Sequence, residues 1–394
     1  MGRTTLLKAA VAATAWAAMA APAQAAIVGS TPSPSWQTNG RVTTITVSGT
    51  TAYIGGKFTS LRPSGAPAGT GEVTRNHAAA INLTTGALLP WNPNVNGVVS
   101  AISVNGSTVY LGGGFGTVGG VTRKKAAAVD ASTGALITAW RARNLNAEVR
   151  AIEVSNGRVY LGGAFTTPRS YAAAFDPAAG ALDSGWAPVT DGPVDAIETT
   201  SDGSNHVVLG GAFNTLNGVS SSAIGAVDPV TGGAVDHVTS DPITWNWHGP
   251  VRFGTHPFDV VSLANFGGNM YAAGTGNGGS FMKFTPATGD LVWIEGVTGN
   301  VENVVVIDGI AYAGGHFEAY CGAIPGNNFC TRVALRNHLI AVDDTTGVLQ
   351  SWHSAANSNL GVFAIAAGPQ TLVVGGDFTR LGGVAQQMFG MFKE

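Results

Sequence analysis

The sequence predicts an all-β fold, a seven-bladed β-propeller with four strands per blade, and three observations carry that prediction. A unit of similar residues recurs along the chain. Glycine is abundant, at 56 of 394 residues, and punctuates short apolar runs that also meet Asn and Ser at their ends. No stretch keeps a helical stripe. With only 11% charged residues, the runs read as strands buried on both faces, as they would be between neighbouring sheets.

The first 25 residues stand apart. Arg3 and Lys8 give a positive start, residues 9–21 form a short apolar run, and Ala23-Gln24-Ala25 fits a small-residue cleavage site. The run falls short of the ~20 apolar residues that cross a bilayer. Residues 1–25 are therefore expected to be a Sec-type signal peptide, leaving residues 26–394 as one secreted, extracellular domain, released as a monomer. No membrane contact is expected of it. Loss of Arg3 and Lys8 removes two positive charges from a net charge of −3, leaving −5. A mildly acidic chain whose one basic knot is Arg123-Lys124-Lys125 is a poor match for nucleic acid.

The repeat supplies the strands in order. Residues 99–115 and 149–165 both run Val-x-Ala-Ile-x-Val, an Asn-Gly turn, then Val-Tyr-Leu-Gly-Gly-x-Phe. The Gly-Gly-x-Phe signature starts at Gly55, Gly112, Gly162, Gly210, Gly314 and Gly375, and a degenerate copy at Tyr271-Ala272-Ala273-Gly274 makes seven units. An Ala-rich strand follows, such as Ala126 to Asp130, then a Thr133-Gly134 turn and Trp140. Equivalent tryptophans are Trp91, Trp186, Trp293 and Trp352, with Trp245 or Trp247 in the fourth unit. One unit is thus an inner strand, a Gly-Gly-x-Phe strand, an Ala-rich strand and an outer strand ending in Trp, the mark of a propeller blade. The glycine pairs let adjacent backbones approach, and the tryptophans are expected to pack between blades.

Ring closure is legible too. The seventh unit stops after its third strand, whereas residues 27–36 read as an outer strand without a blade. Pairing the two would join first and last blades and cover both edges.

The motif Ala128-x-Asp130-x-x-Thr133-Gly134 followed by Trp140 is similar to the tryptophan motif of quinoprotein (PQQ) dehydrogenases and related outer-membrane assembly propellers, with a longer Thr-Gly to Trp spacing. The whole unit more closely resembles a family of secreted bacterial β-propeller repeats without an assigned function, over residues 27–394. The resemblance implies the fold and carries almost no functional residues across.

Meander topology sorts the loops. Those after strands two and four share one face and include every long excursion, at residues 62–74, 236–257 and 318–333. Long loops on a rigid scaffold usually carry function, so this is the candidate surface. The two cysteines, Cys321 and Cys330, lie in one of these loops and read as a disulfide in an exported protein, constraining it by about 2–3 kcal/mol. The densest aromatic segment holds Trp247, His248 and His256, suited to a sugar ring or a peptide side chain. Packing of the insertion against the barrel is the alternative reading of these residues.

The variable residue of Gly-Gly-x-Phe is small in most units but is Lys57, His316 and Asp377 in three that are contiguous around the closed ring. His77 and His338 take equivalent places before their third strands. Together these five make a candidate polar cluster with acid, base and cation, or else solvated strand ends. Arg75, Arg123, Arg169 and Arg336 recur in register, as do Asp130, Asp176, Asp228 and Asp343, and read as scaffold: inter-strand bonds and turn closure. Asn39, Asn96, Asn146, Asp191 and Asn359 recur before the inner strand and read as turn formers, with a cation-binding ring as the alternative. No metal site or cofactor is expected.

A binding module for an extracellular glycan or protein, using the long-loop face, is the reading that best suits a chain without a tight catalytic constellation. The alternative is an extracellular hydrolase or lyase using the His/Asp/Lys cluster. A quinoprotein oxidoreductase ranks last, because that family's resemblance implies adjacent cysteines and these stand nine positions apart.

Overall fold

The computed structural model describes residues 28–221, 223–233, 235, 259–276, 278–323 and 332–394. Within them every regular element is a β-strand. Seven antiparallel sheets follow one another along the chain, each a meander whose first strand lies at one edge. The first pairs Val42–Ser48, Thr51–Gly56 and Ala78–Asn82. The second pairs Val99–Asn105, Thr108–Gly113 and Ala126–Asp130. The third and fourth are Val149–Ser155, Arg158–Gly163, Ala172–Phe175 and Val194–Thr199, Val207–Gly211, Ile224–Val227. The sixth and seventh are Asn300–Ile307, Ile310–His316, Leu339–Asp343 and Val362–Gly368, Thr371–Gly376, Phe389–Lys393.

The fifth sheet is the exception. It runs Asp259–Phe266, Asn269–Thr275, Gly279–Phe284 and Leu291–Val297, then gains Ala319–Ala323 and Ala334–Leu335 from the sixth repeat. Among the described residues only here does the expected outer strand form a full ladder. In the first, second, third and sixth sheets it is a single bridge, Ile81 with Leu88, Val129 with Leu136, Phe175 with Leu182 and Val342 with Leu349.

The repeat's residue types explain its geometry. In each Asp-x-x-Thr/Ala-Gly turn the carboxylate accepts from the next backbone amides: Asp130 from Ser132 and Thr133, Asp176 from Ala178 and Ala179, Asp228 from Val230 and Thr231, Asp343 from Thr345 and Thr346. The chain thereby reverses into the tryptophan. Trp91, Trp140, Trp186 and Trp352 are buried, and each meets a tyrosine of its own sheet edge-on at 4.9–5.3 Å. The indole N–H of Trp91, Trp140, Trp186 and Trp293 then crosses to the next sheet and donates to the carbonyl of Asp130, Asp176, Asp228 or Asp344, at 2.8–3.2 Å.

The glycine pairs are sockets. A Cβ on Gly55, Gly112, Gly162, Gly210, Gly314 or Gly375 would sit 2.5–2.8 Å from the valine that opens the following sheet, Val99, Val149, Val194, Val260, Val362 or Val42. The last pair joins the seventh sheet to the first. Contacts between first strands run the same way, each against the next, and Val42–Ser48 against Val362–Gly368. The first strands therefore pack side by side about a common axis, with the apolar core in layers between the sheets.

The N-terminal segment lies at the join. Gly29 and Ser33 donate to the Lys393 and Met391 carbonyls at 2.8 and 2.7 Å, Val28 N–H reaches the Tyr312 hydroxyl, and Trp352 donates to the Gly29 carbonyl. Gln37–Thr38 then pairs with Ser60–Arg62 beside the first sheet.

Candidate functional site

Trp247, His248, His256 and Cys330 lie outside the described residues, as do residues 236–258 and 324–331 of two long loops. Cys321 is buried in the strand Ala319–Ala323. The five remaining candidates stand at one end of the axis, because a shared backbone device puts them there. In six sheets the third strand is preceded by a residue with left-handed backbone: His77, Lys125, Tyr171, Ala223, His338 and Met388, φ 60–70°. Its amide donates to the carbonyl of the buried Gly-Gly-x-Phe phenylalanine at 2.7–3.0 Å, and its carbonyl accepts from the second glycine at 2.9–3.1 Å.

These five side chains do not converge. Asp377 pairs with Arg41 at 3.1 Å, and the Arg41 guanidinium lies 4.5 Å over the Phe363 ring. That arrangement links the first sheet to the seventh. Lys57 is exposed, its backbone amide bound to the Arg41 carbonyl. His77 Nδ1 lies 2.9 Å from its own sheet's Gly56 carbonyl. His316 is exposed and stacks at 6.1 Å on buried His338, whose two ring nitrogens face the Gly315 and Ser358 carbonyls. Burial pushes the His338 imidazole below its usual range. An ion pair, a stacked pair and two separate side chains stand where the sequence left open either one acid–base cluster or solvated strand ends.

The recurring polar residues are scaffold. The arginines donate to carbonyls across the sheet edge, Arg75 to Leu89, Arg123 to Thr138, Arg169 to Ser184 and Arg336 to Gln350. Asn39, Asn96, Asn146 and Asp191 each accept two backbone amides just past the phenylalanine. In the seventh sheet that place belongs to Asn357, which accepts from Thr379 and Arg380, and not to Asn359, which is exposed. A two-residue shift in the preceding turn misaligned the sequence register. Among the described residues no group of three His, Cys, Asp or Glu side chains is placed to hold a metal ion.

Sequence reasoning missed the axial wall. Every first strand carries a bulge after its opening valine. The bulged residues are Thr43, Ser100, Arg150, Asp195, Val261, Glu302 and Phe363, all reachable by solvent and each directly after a buried valine. Three residues on, about 10 Å deeper, stand Thr46, Ser103, Glu153, Glu198, Ala264, Val305 and Ala366. The wall is therefore polar on the first four sheets and largely apolar on the last three, with Glu302 the exception.

On the polar side these groups bind around the ring. Thr43 and Thr46 donate to Val99 and Ile102 carbonyls, Ser100 to Glu148, and Arg150 to Asp195 at 2.8 Å. Glu153 accepts from Thr199. Water can reach Glu153 and Glu198, yet protein surrounds them, as in a narrow channel. Burial and the neighbouring Glu153 push Glu198 up to about 8, and burial raises Glu153, Asp259 and Glu302 as well. The signal was present in the sequence: at one repeat position Thr46 and Ser103 give way to Glu153 and Glu198.

No protein-family model and no curated protein matches the sequence. Solved structures match the fold. The WD40 β-propeller domain of Doa1 superposes with a TM-score of 0.55 at 11% identity, over 91% of this chain and 97% of that one. The computationally designed Ika8 protein gives 0.51 at 14% identity, over 91% and 98%. At such identity the likeness speaks for fold alone, and with the repeated sheets around one axis it makes this chain an all-β repeat protein of β-propeller fold.

Proposed function

We propose that the protein is a secreted seven-bladed propeller that binds an extracellular glycan or protein through the face carrying its long loops and the bulged end of its channel. Residues 28–36 act as the outer strand of the seventh blade and close the ring. Cys321 and Cys330 form a disulfide that shapes one loop of the binding face, and residues 1–25 are removed on export.

The observation that carries this reading is the unequal use of polar groups at the two ends. At the turn end the Asp side chains are consumed by their own backbone amides, turn after turn. At the other end Lys57 and His316 are exposed, and Asp259 and Glu302 depart from the repeat on a solvent-reached wall, beside Asp195, which Arg150 already holds. Such groups do nothing for a shared scaffold and are available to a ligand, whose basic or hydroxyl groups they would meet. The hydrolase or lyase reading needs His316, Asp377, Lys57, His77 and His338 to act together, and their separate contacts favour binding.

The test is a screen of residues 26–394 against plant and bacterial cell-wall polysaccharides and basic extracellular peptides. Saturable binding without product release is expected, weakened several-fold by Asp259→Asn or Glu302→Gln and unchanged by Asp343→Asn in a turn. Product release, or equal loss from the turn variant, would sink the assignment.

A further inference from the structure

Six Asn-Gly pairs occur in the chain, at Asn39, Asn96, Asn105, Asn156, Asn217 and Asn277, the last outside the described residues. Glycine lacks a Cβ and leaves its amide nitrogen open to the side-chain carbonyl carbon of the preceding Asn. The structure treats the five described pairs very differently.

We propose that Asn105 is, among the described Asn-Gly pairs, the site at which the native protein deamidates, turning a surface amide into a carboxylate at the end opposite the candidate binding face. The Gly106 nitrogen gives up its proton to solvent base and attacks Cγ of Asn105. The new C–N bond closes a succinimide, and the side-chain nitrogen leaves as ammonia. Water then adds to either imide carbonyl and opens the ring to aspartate or isoaspartate. The net exchange is one water in and one ammonia out.

Three observations point to Asn105, the last of them shared with Asn156 and Asn217. It is exposed, and its side chain makes no hydrogen bond to any described residue. It pairs with Thr108 at the end of the ladder, which leaves Gly106 in the turn beyond it. Gly106 has φ +57° and nothing within 4 Å of where a Cβ would stand, so the turn has room to close the ring. The other four are held. Asn39 and Asn96 each clasp two backbone amides, and Gly40 and Gly97 pack against Phe58 and Phe115. Asn156 donates to the Asn205 carbonyl. Asn217 accepts from Val189 N–H and donates to the Gly232 carbonyl.

Each tether must break before the side chain can turn onto the next nitrogen, and one net hydrogen bond is worth up to roughly tenfold in that population. Peptide mapping by mass spectrometry, after incubation of the folded protein in mildly alkaline buffer, reads the order directly. Asn105 should convert roughly tenfold ahead of Asn156 and Asn217, and further ahead of Asn39 and Asn96. The same protein in denaturant should lose that order, because the tethers are gone. The proposal is overturned if any of those four converts as fast as Asn105 in the folded protein. It is equally overturned if Asn105 stays intact while the denatured control reacts.

Discussion

The junction between the second and third sheets and the junction between the seventh and first do the same job with different means. At the internal junction the chain crosses Gly112 against Val149, and the Trp140 N–H meets the Asp176 carbonyl. Ser100, the Tyr110 hydroxyl and the Arg141 amide add bonds to Glu148 and to the Pro177 and Ala179 carbonyls, and the chain itself connects the two sheets. At the seam the socket is kept, Gly375 against Val42, but no such connection exists. Polar side chains found nowhere else in the repeat take over. Arg41 binds Asp377 and covers Phe363, Arg62 reaches Gln37 and Gln387, and Gln386 Nε2 lies within reach of Ser35, Trp36 and Phe389. Lys393 donates to the Thr84 carbonyl. Packing sets how two sheets lie together anywhere in the ring. Where the covalent tether is missing, directional bonds fix the register.

That contrast breaks most visibly at the N-terminal segment. Deleting residues 26–37 removes the bonds from Gly29 and Ser33 to the last strand and uncovers its apolar neighbours. The expected outcome is aggregation, or a fall in melting temperature larger than any single substitution causes; a truncated chain that melts like the full one would show that the segment is no clasp. Trp140→Ala tests the internal junction. It empties a buried site and removes the indole donor from the Asp176 carbonyl, which keeps the Gly180 amide, and should cost ~3–5 kcal/mol in denaturant titration.

The channel supplies a pH-dependent comparison between the two halves of the wall. The folded carboxyl of Glu198 is raised to about 8, above its unfolded value, so its contribution is present in acid and lost as pH rises through the folded value. Melting temperature should therefore fall from mildly acid to mildly alkaline buffer, and Glu198→Gln should flatten that fall. An unchanged slope in the variant would place the titration elsewhere. Arg41→Ala should have the smallest effect, about 1 kcal/mol, since the pair is partly exposed and one cation–ring contact is modest. A loss matching that of Trp140→Ala would mean the seam depends on this pair rather than on the N-terminal segment.

What the sequence disclosed follows the same division. Gly-Gly-x-Phe, the Asp turn and the tryptophan recur because each sheet needs them, and repetition made them readable. Asp377 looked like a functional residue because it broke the repeat; its partner Arg41 lies 336 positions away and becomes a neighbour only when the ring closes. The outer strand was over-read for a related reason. Its residues repeat, but a single bridge is enough to turn the chain into the tryptophan. Glu153 and Glu198 escaped notice because the bulge that turns the first strand towards the axis leaves no mark in residue pattern.

The left-handed residues before the third strands have a consequence for how such a surface can change. Six of them keep a side chain where glycine would be less strained, as Gly278 shows in the fifth sheet. Both hydrogen bonds at each position come from the backbone, so the conformation is indifferent to which side chain is carried. Histidine, lysine, tyrosine, alanine and methionine already occupy equivalent places. Chemistry at the rim is thus separable from the frame beneath it, and a library randomised at the partly exposed His77, Lys125, Tyr171 and Met388 would vary recognition while leaving the ladder bonds that hold each sheet.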